Sequence, residues 1–331
     1  RSTPLYSSAA SDVYKRQPYD ETSRFNKVAF PGKNTPILEI VDFLNARARE
    51  NQWGFVDFNR PMVAINQWEQ AEDSMYTLCG KDRIHPSTDG HLVMAYLFLK
   101  AQGLAGKPVA DIRIDGAGKK VTRSDNCRVS DLSVSSDNLT FTYEAKSLPY
   151  PIDTSYYDNE KHTQADALSV IPFMDEMNYE GLSVSGLSDG YYGLTIGGEF
   201  IGRFTARELE RGINMALLQN TPQYKQAMKI RQMNEERWLK ERKMREFYWV
   251  EYNLMRKTGM LWACNEAAVD TLRKYRPHDI FLQWNGDLWL QYMHKGIRED
   301  CVNEQQDLVN QIYEQNKPIP LRIEIKKFTD L

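Results

Sequence analysis

Two residues in the stretch CGKDRIHPSTDGHLVMAYLFLKAQG have types and spacing suited to proton transfer, Asp82 and His85. A general base needs an imidazole held in one tautomer by a partner on its other ring nitrogen. An Asp three residues upstream, in a tight loop, can reach Nδ1 and leave Nε2 facing a nucleophile. Pro86 pushes His85 into an extended conformation and suits the first turn of the helix expected to follow. The spacing alone is weak, because D-x-x-H arises often by chance and most surface Asp/His pairs have no role.

The pair needs elements to hold it. Asn34-Thr35-Pro36 is a helix-start signal, a capping residue followed by Pro in the first turn. Ile37, Ile40, Val41 and Leu44 then give one apolar face, and the helix should end near Asn51. Residues 53–58, WGFVDF, are short, apolar and β-rich, and read as a buried strand. A helix followed by a buried strand fits one unit of a parallel α/β sheet. The apolar run 92–99 belongs to a helix that starts after Pro86 and closes this region near Gly106.

DRIHP followed by S-x-x-G-H and an apolar helix resembles the last sequence block of the SGNH hydrolases, also called GDSL esterases/lipases. The resemblance implies a Ser-His-Asp triad in which Asp82 orients the ring and His85 is the base. It also implies an ester hydrolase, a carbohydrate O-acetyl esterase, with no metal or organic cofactor and an acylated carbohydrate as substrate. A periplasmic or secreted location is the family expectation. The family's G-D-S nucleophile block, its Gly block and its G-x-N-D oxyanion block should precede DRIHP and are not found. Residues 7–17, SSAASDVYKRQ, resemble the in-frame translation of a sequencing-library adapter, so residues 1–17 are expected to be a non-native leader. On this reading the enzyme is truncated at its N-terminus and the 331-residue chain is inactive.

The expected fold class is α/β: the C-terminal part of an SGNH-type parallel α/β/α sheet domain over residues 18–107, a β-rich region over 108–205, and a mainly helical extension over 206–331. Short alternating runs at 111–115, 119–123, 128–133 and 139–143 predict strands. A helix is expected over 162–174, then strands at 182–187, 191–196 and 200–204, joined by hairpin turns at Ser188-Asp189-Gly190 and Gly197-Gly198-Glu199. Thr205-Ala206-Arg207-Glu208 is a capping box opening a helix to about Leu218. Asn220-Thr221-Pro222-Gln223 caps a long helix to about Lys257. Further helices are expected over 264–274 and 288–316, and a strand over 321–326. Leu182-Ser183-Val184-Ser185-Gly186-Leu187, Asn220-Thr221-Pro222-Gln223 and Tyr275-Arg276-Pro277-His278 resemble the C-terminal extension of many bacterial SGNH carbohydrate esterases.

Other signals are weaker. Gly186-Leu187-Ser188-Asp189-Gly190 matches the G-x-S-x-G nucleophile elbow, but that motif needs a helix after it and a strand is expected here. Asn138-Leu139-Thr140 matches a glycosylation sequon at chance level. Cys79, Cys127, Cys264 and Cys301 form no C-x-x-C pair, so no zinc or redox motif is supported. A net charge of −3 favours neither nucleic acid nor an acidic membrane surface. No apolar run approaches the roughly 18 residues of a membrane span. Trp249 near Phe247 and Tyr248, and Trp284 and Trp289 near Tyr292, could stack on sugar rings. Trp68 and Tyr76, which precede the DRIHP loop, are candidates to line a substrate cleft. The competing reading is a non-catalytic glycan- or protein-binding module, or a structural one, in which DRIHP is a coincidence. The sequence leaves the oligomeric state unknown.

Overall fold

The computed structural model describes residues 17–24, 29–155 and 162–328. The leader expected over 1–17 therefore lies outside the described residues except for Gln17. Helix α1 spans Asn34–Asn51. Asn34 does not cap it. The Glu21 carboxylate accepts the N–H groups of Gly32 and Asn34 instead, and Asn34 exchanges side-chain bonds with Asn59. Residues 53–58 are not a strand. They pair with no other strand among the described residues, and Trp53 is exposed. Their β-rich composition favours extended backbone, but a strand exists only where a ladder partner does. Helix α2 follows at Asn59–Glu69 and α3 at Thr88–Ala101.

The chain then enters β1 (Ala110–Asp115), β2 (Lys120–Asp125), β3 (Cys127–Val134) and β4 (Asn138–Ala145). The helix expected over 162–174 is instead a 3₁₀ segment, Gln164–Ser169, and a single turn α4, Phe173–Glu176. Pro172, which has no N–H to give a continuing helix, stands between them. Strands β5 (Glu180–Ser185), β6 (Tyr191–Ile196) and β7 (Glu199–Thr205) follow. Gly197 and Gly198, at φ +59° and +85°, make the two-residue turn between β6 and β7, as the primed hairpin turns require. Ser188-Asp189-Gly190 is not a hairpin turn, because β5 and β6 lie in different sheets. Helix α5 (Ala206–Arg211) carries the Thr205/Glu208 capping box but stops at Gly212, φ +96°. Strand β8 (Ile213–Asn214) succeeds it, so no helix reaches Leu218.

Helix α6 runs over Pro222–Val250 from the Thr221 cap and ends in a π turn at Glu251–Met255. Helix α7 is Glu266–Tyr275. The single helix expected over 288–316 is two, α8 (Ile280–Tyr292) and α9 (Lys295–Gln315). The Asp279 side chain accepts the N–H groups of Phe281 and Leu282 and starts α8 earlier than apolar spacing suggests. Strand β9 is Leu321–Lys327.

The protein is thus mixed α/β with a helical C-terminal region. One sheet has the order β2-β1-β5-β8, in which β1 and β5 are parallel and the other pairs antiparallel. The second has the order β3-β4-β9-β6-β7. Two compact units result. The first takes the described residues up to Cys127, Pro149–Gly190 and Thr205–Leu217, and the second takes Arg128–Leu148, Tyr191–Phe204 and the described residues from Leu218 onward. In the first, α2 and α3 bury Met62, Leu78, Val93 and Tyr96 with Ile152 and Phe173. In the second, α6 to α9 close around Phe247, Val250, Leu272 and Trp289. No helix among the described residues is long and apolar enough to cross a membrane.

Candidate active site

The segment from Leu78 to Ser87 doubles back on itself before α3. Cys79 and Pro86 form an isolated antiparallel bridge. Ser87 N–H donates to Leu78 O at 3.0 Å, and Gly80 N–H donates to His85 O. Pro86 serves that bridge rather than the first helical turn, because Ser87 is the N-cap and the helix begins at Thr88. The approach of α3 is unusually close. A Cβ on Gly90 would lie 2.1 Å from Leu78 O, so only glycine lets the helix start sit on this loop.

Inside the loop, Asp82 and His85 meet as their spacing suggests. Asp82 Oδ2 bonds His85 Nδ1, and Oδ1 accepts the N–H groups of Ile84 at 3.1 Å and His85 at 3.0 Å. The carboxylate therefore fixes both the ring and the backbone that carries it. Partial burial pushes the Asp82 carboxyl up, but the bonds from the His85 ring and the two backbone N–H groups outweigh it and hold the group below its ordinary value. The imidazole is 80% exposed, and among the described residues nothing bonds Nε2. An oriented ring with an open Nε2 can take a proton from a nucleophile within hydrogen-bond reach of that nitrogen.

Arg83 is the residue that sequence reasoning missed. It lies between the two dyad members at φ +70°, in the left-handed region, with its side chain buried. Its Nη1 donates to Asp20 O at 3.1 Å and to Ser23 Oγ at 3.4 Å, while Asp20 N–H donates to Arg83 O at 2.8 Å. Gln17 Nε2 reaches Ile84 O at 3.2 Å. The Asp20 carboxylate in turn folds its own turn, accepting from Thr22 and Ser23. The dyad loop is clamped between this turn and α2, where Asn66 Oδ1 accepts Leu78 N–H at 2.8 Å. Asn59, Met62 and Asn66 fall on one stripe of α2, which its C-cap Gln70 continues. Asn59 and Asn66, amides at core positions, were the signal available in the sequence.

Beneath the loop lies a second carboxylate. Asp89 is fully buried, takes the Ser87 hydroxyl and the Gly90 N–H, and has His162 Nδ1 3.4 Å from Oδ2. Burial pushes its carboxyl above the ordinary value against those contacts. Tyr76 sets its ring edge against His162 at 5.7 Å between centroids, and Trp68 is 79% exposed on α2. Cys79, three residues before Asp82, is buried, and burial pushes its thiol up to about 12. Ser188 is exposed in a connection followed by β6, not by a helix, which removes the strained elbow that would activate it. Trp289 and Phe247 are fully buried core residues, so they stack on no ligand, whereas Trp284 is exposed.

Residues 228–317 match the family model for the Diltiazem deacetylase C-terminal helical domain, a span covering most of α6 and all of α7 to α9. No curated protein matches the chain significantly. Among solved structures, one described as BT4096, a gut microbial diltiazem-metabolizing enzyme, superposes with a TM-score of 0.88. The two are 41% identical, with the alignment covering 94% of this chain and 71% of that one. At that identity and coverage, the chain belongs to the same family as this diltiazem-metabolizing enzyme.

Proposed function

We propose that the chain is part of an ester hydrolase of the SGNH type that removes O-acetyl groups, with His85 as general base and Asp82 as its orienting partner. The observation that carries this is the Asp82–His85 dyad with Nε2 open on an anchored loop. Membership in the family of a diltiazem-metabolizing enzyme supports it, as does the match to a domain named for a deacetylase. His85 Nε2 takes the proton of a serine hydroxyl while Oγ attacks the acetyl carbonyl carbon. The imidazolium, stabilised by Asp82, then protonates the departing alcohol. Water activated by the same nitrogen hydrolyses the acetyl-serine, releasing acetate. On this reading the serine and the oxyanion donors lie outside the described residues, among which no serine bonds His85. Residues 18–107 carry the acid–base half of the site, residues 108–205 and 206–331 are accessory to it, and the natural substrate is an acetylated carbohydrate whose hydroxyl is the departing alcohol.

The test is hydrolysis of 4-nitrophenyl acetate by the 331-residue chain and by the product of its complete source reading frame. The expected result is turnover only by the latter, falling about 10²–10⁴-fold in His85→Ala. Turnover by the 331-residue chain that vanishes in His85→Ala keeps the dyad but relocates the serine to this sequence. Turnover indifferent to His85→Ala sinks the dyad's role.

A further inference from the structure

Helix α6 has two faces that differ in what they meet. Met244, Phe247, Val250 and Leu254 form the stripe buried in the helical core. On the opposite side, Trp238, Arg242, Arg245 and Trp249 follow at i, i+4, i+7 and i+11, a second stripe at helical spacing. With Glu246 and, from α8, Asn285, they line a cleft of about 350 Å³. Trp238 is 44% exposed. Beyond Trp249 the aromatic surface continues, with Phe281 5.2 Å away and Trp284 5.4 Å beyond it, centroid to centroid. Trp249 is half-buried and also packs against the helical core, but Trp238 and Trp284 are exposed, and contiguous exposed aromatic surface marks a contact site.

We infer that this cleft, in the second unit, is a binding site for a short neutral oligosaccharide. Three features select that ligand. The indoles at its ends are 11 residues apart on one helix, about 16 Å along the axis, which suits a chain of several rings rather than one. Between them stand planar polar groups, two guanidiniums, a carboxylate and an amide, able to bond neighbouring hydroxyls in pairs while the indole faces take the C–H faces of the rings. The charges are partly offset: Arg242 Nε donates to Glu246 at 2.7 Å, and Arg245 lies 3.7 Å from Glu241, a carboxylate that Arg237 shares at 2.9 Å. A polyanion would find about one uncompensated positive charge in the lining. A docked apolar helix would meet charged groups in the middle of its footprint.

The experiment is native gel electrophoresis of the full chain through gels containing galactomannan, arabinoxylan, mixed-linkage β-glucan or dextran, with polygalacturonate as the anionic comparison. Retardation is expected in at least one neutral gel. Trp238→Ala should weaken it at least tenfold, and Trp238→Phe should restore most of it. Tyr313→Ala, an exposed aromatic on α9, and His85→Ala should leave it unchanged, so the result is independent of the esterase reading. Arg245→Ala replaces Trp238→Ala if circular dichroism shows that variant unfolded. The inference is overturned by no retardation in any neutral gel, by retardation only in polygalacturonate, or by equal retardation of Trp238→Ala. It is also overturned if sedimentation shows a dimer that Trp238→Ala dissociates, because the stripe is then a contact between copies of this chain.

Discussion

The dyad loop and the helical region of the second unit are held by different forces. The loop is fixed by hydrogen bonds that reach across the sequence, from Asp20, Gln17 and Asn66 to Arg83, Ile84 and Leu78. Each is worth only about 1 kcal/mol net, and their value is directional. The helices α6 to α9 are held by apolar burial around Trp289 and Phe247, which is stronger and less particular about angle. One buried polar group is shared by that core: Glu251 accepts Trp289 Nε1–H and Trp262 N–H, both at 2.8 Å. The loop that carries the imidazole uses many weak oriented contacts, whereas the helical region uses area.

The largest effect should come from the apolar side of that contrast. Trp289→Ala removes a fully buried indole and strands Glu251. Its expected cost is about 3–5 kcal/mol, read as lower helical ellipticity and an earlier denaturant midpoint. A cost under about 1 kcal/mol would show that burial does not dominate there.

Gly90→Ala tests the other side. Helix propensity alone favours Ala by about 1 kcal/mol. Here the new methyl would sit 2.1 Å from Leu78 O, a backbone atom that moves only if the loop moves. The expected net result is destabilisation by about 2–3 kcal/mol with displaced His85 ring resonances in NMR. A stabilised variant would mean that α3 does not rest on the loop.

Arg83→Ala comes next, at about 2 kcal/mol, because it leaves the Asp20 carbonyl and the Ser23 hydroxyl without their partner. Arg83→Gly loses the same bonds but tolerates φ +70° without the Cβ penalty, so it should be the milder change. Both variants lack the guanidinium, so the reverse order would show that the left-handed backbone at this position carries no Cβ penalty to relieve.

This contrast also explains what the sequence disclosed. Asp82 and His85 were legible because their bond is local and needs only three residues of chain. Capping signals at Thr205 and Thr221 were legible for the same reason. The clamp on the loop was not, because Asp20 and Arg83 are brought together only by tertiary structure. Helix α2 was hidden behind a β-rich run at 53–58 that has no ladder partner among the described residues. The break between α8 and α9 escaped because only Met293 and His294 separate the two helices, and neither is a helix breaker. The core and surface aromatics, Trp289 against Trp284, carry no local mark of which face they occupy.

Asp82→Asn should have the smallest effect on stability and so sharpens the comparison furthest. The Asp82 side chain is 43% exposed, and ion pairs in that setting contribute about 0–1 kcal/mol. The sign of its pH dependence is fixed by the lowered carboxyl value. The contribution is fully present above the unfolded value of about 3.9 and is lost as pH falls through the lower folded one. Wild type should therefore show a shallow acid limb in its unfolding midpoint that Asp82→Asn flattens, with little change at pH 7. The same substitution should move the His85 ring signals strongly, since an amide can offer Nδ1 its NH₂ and select the wrong tautomer. A large loss of stability at pH 7 would mean that the dyad is part of the scaffold. A small one, with the ring signals displaced, would mean that the fold spends almost nothing on the bond the proposed chemistry depends on most.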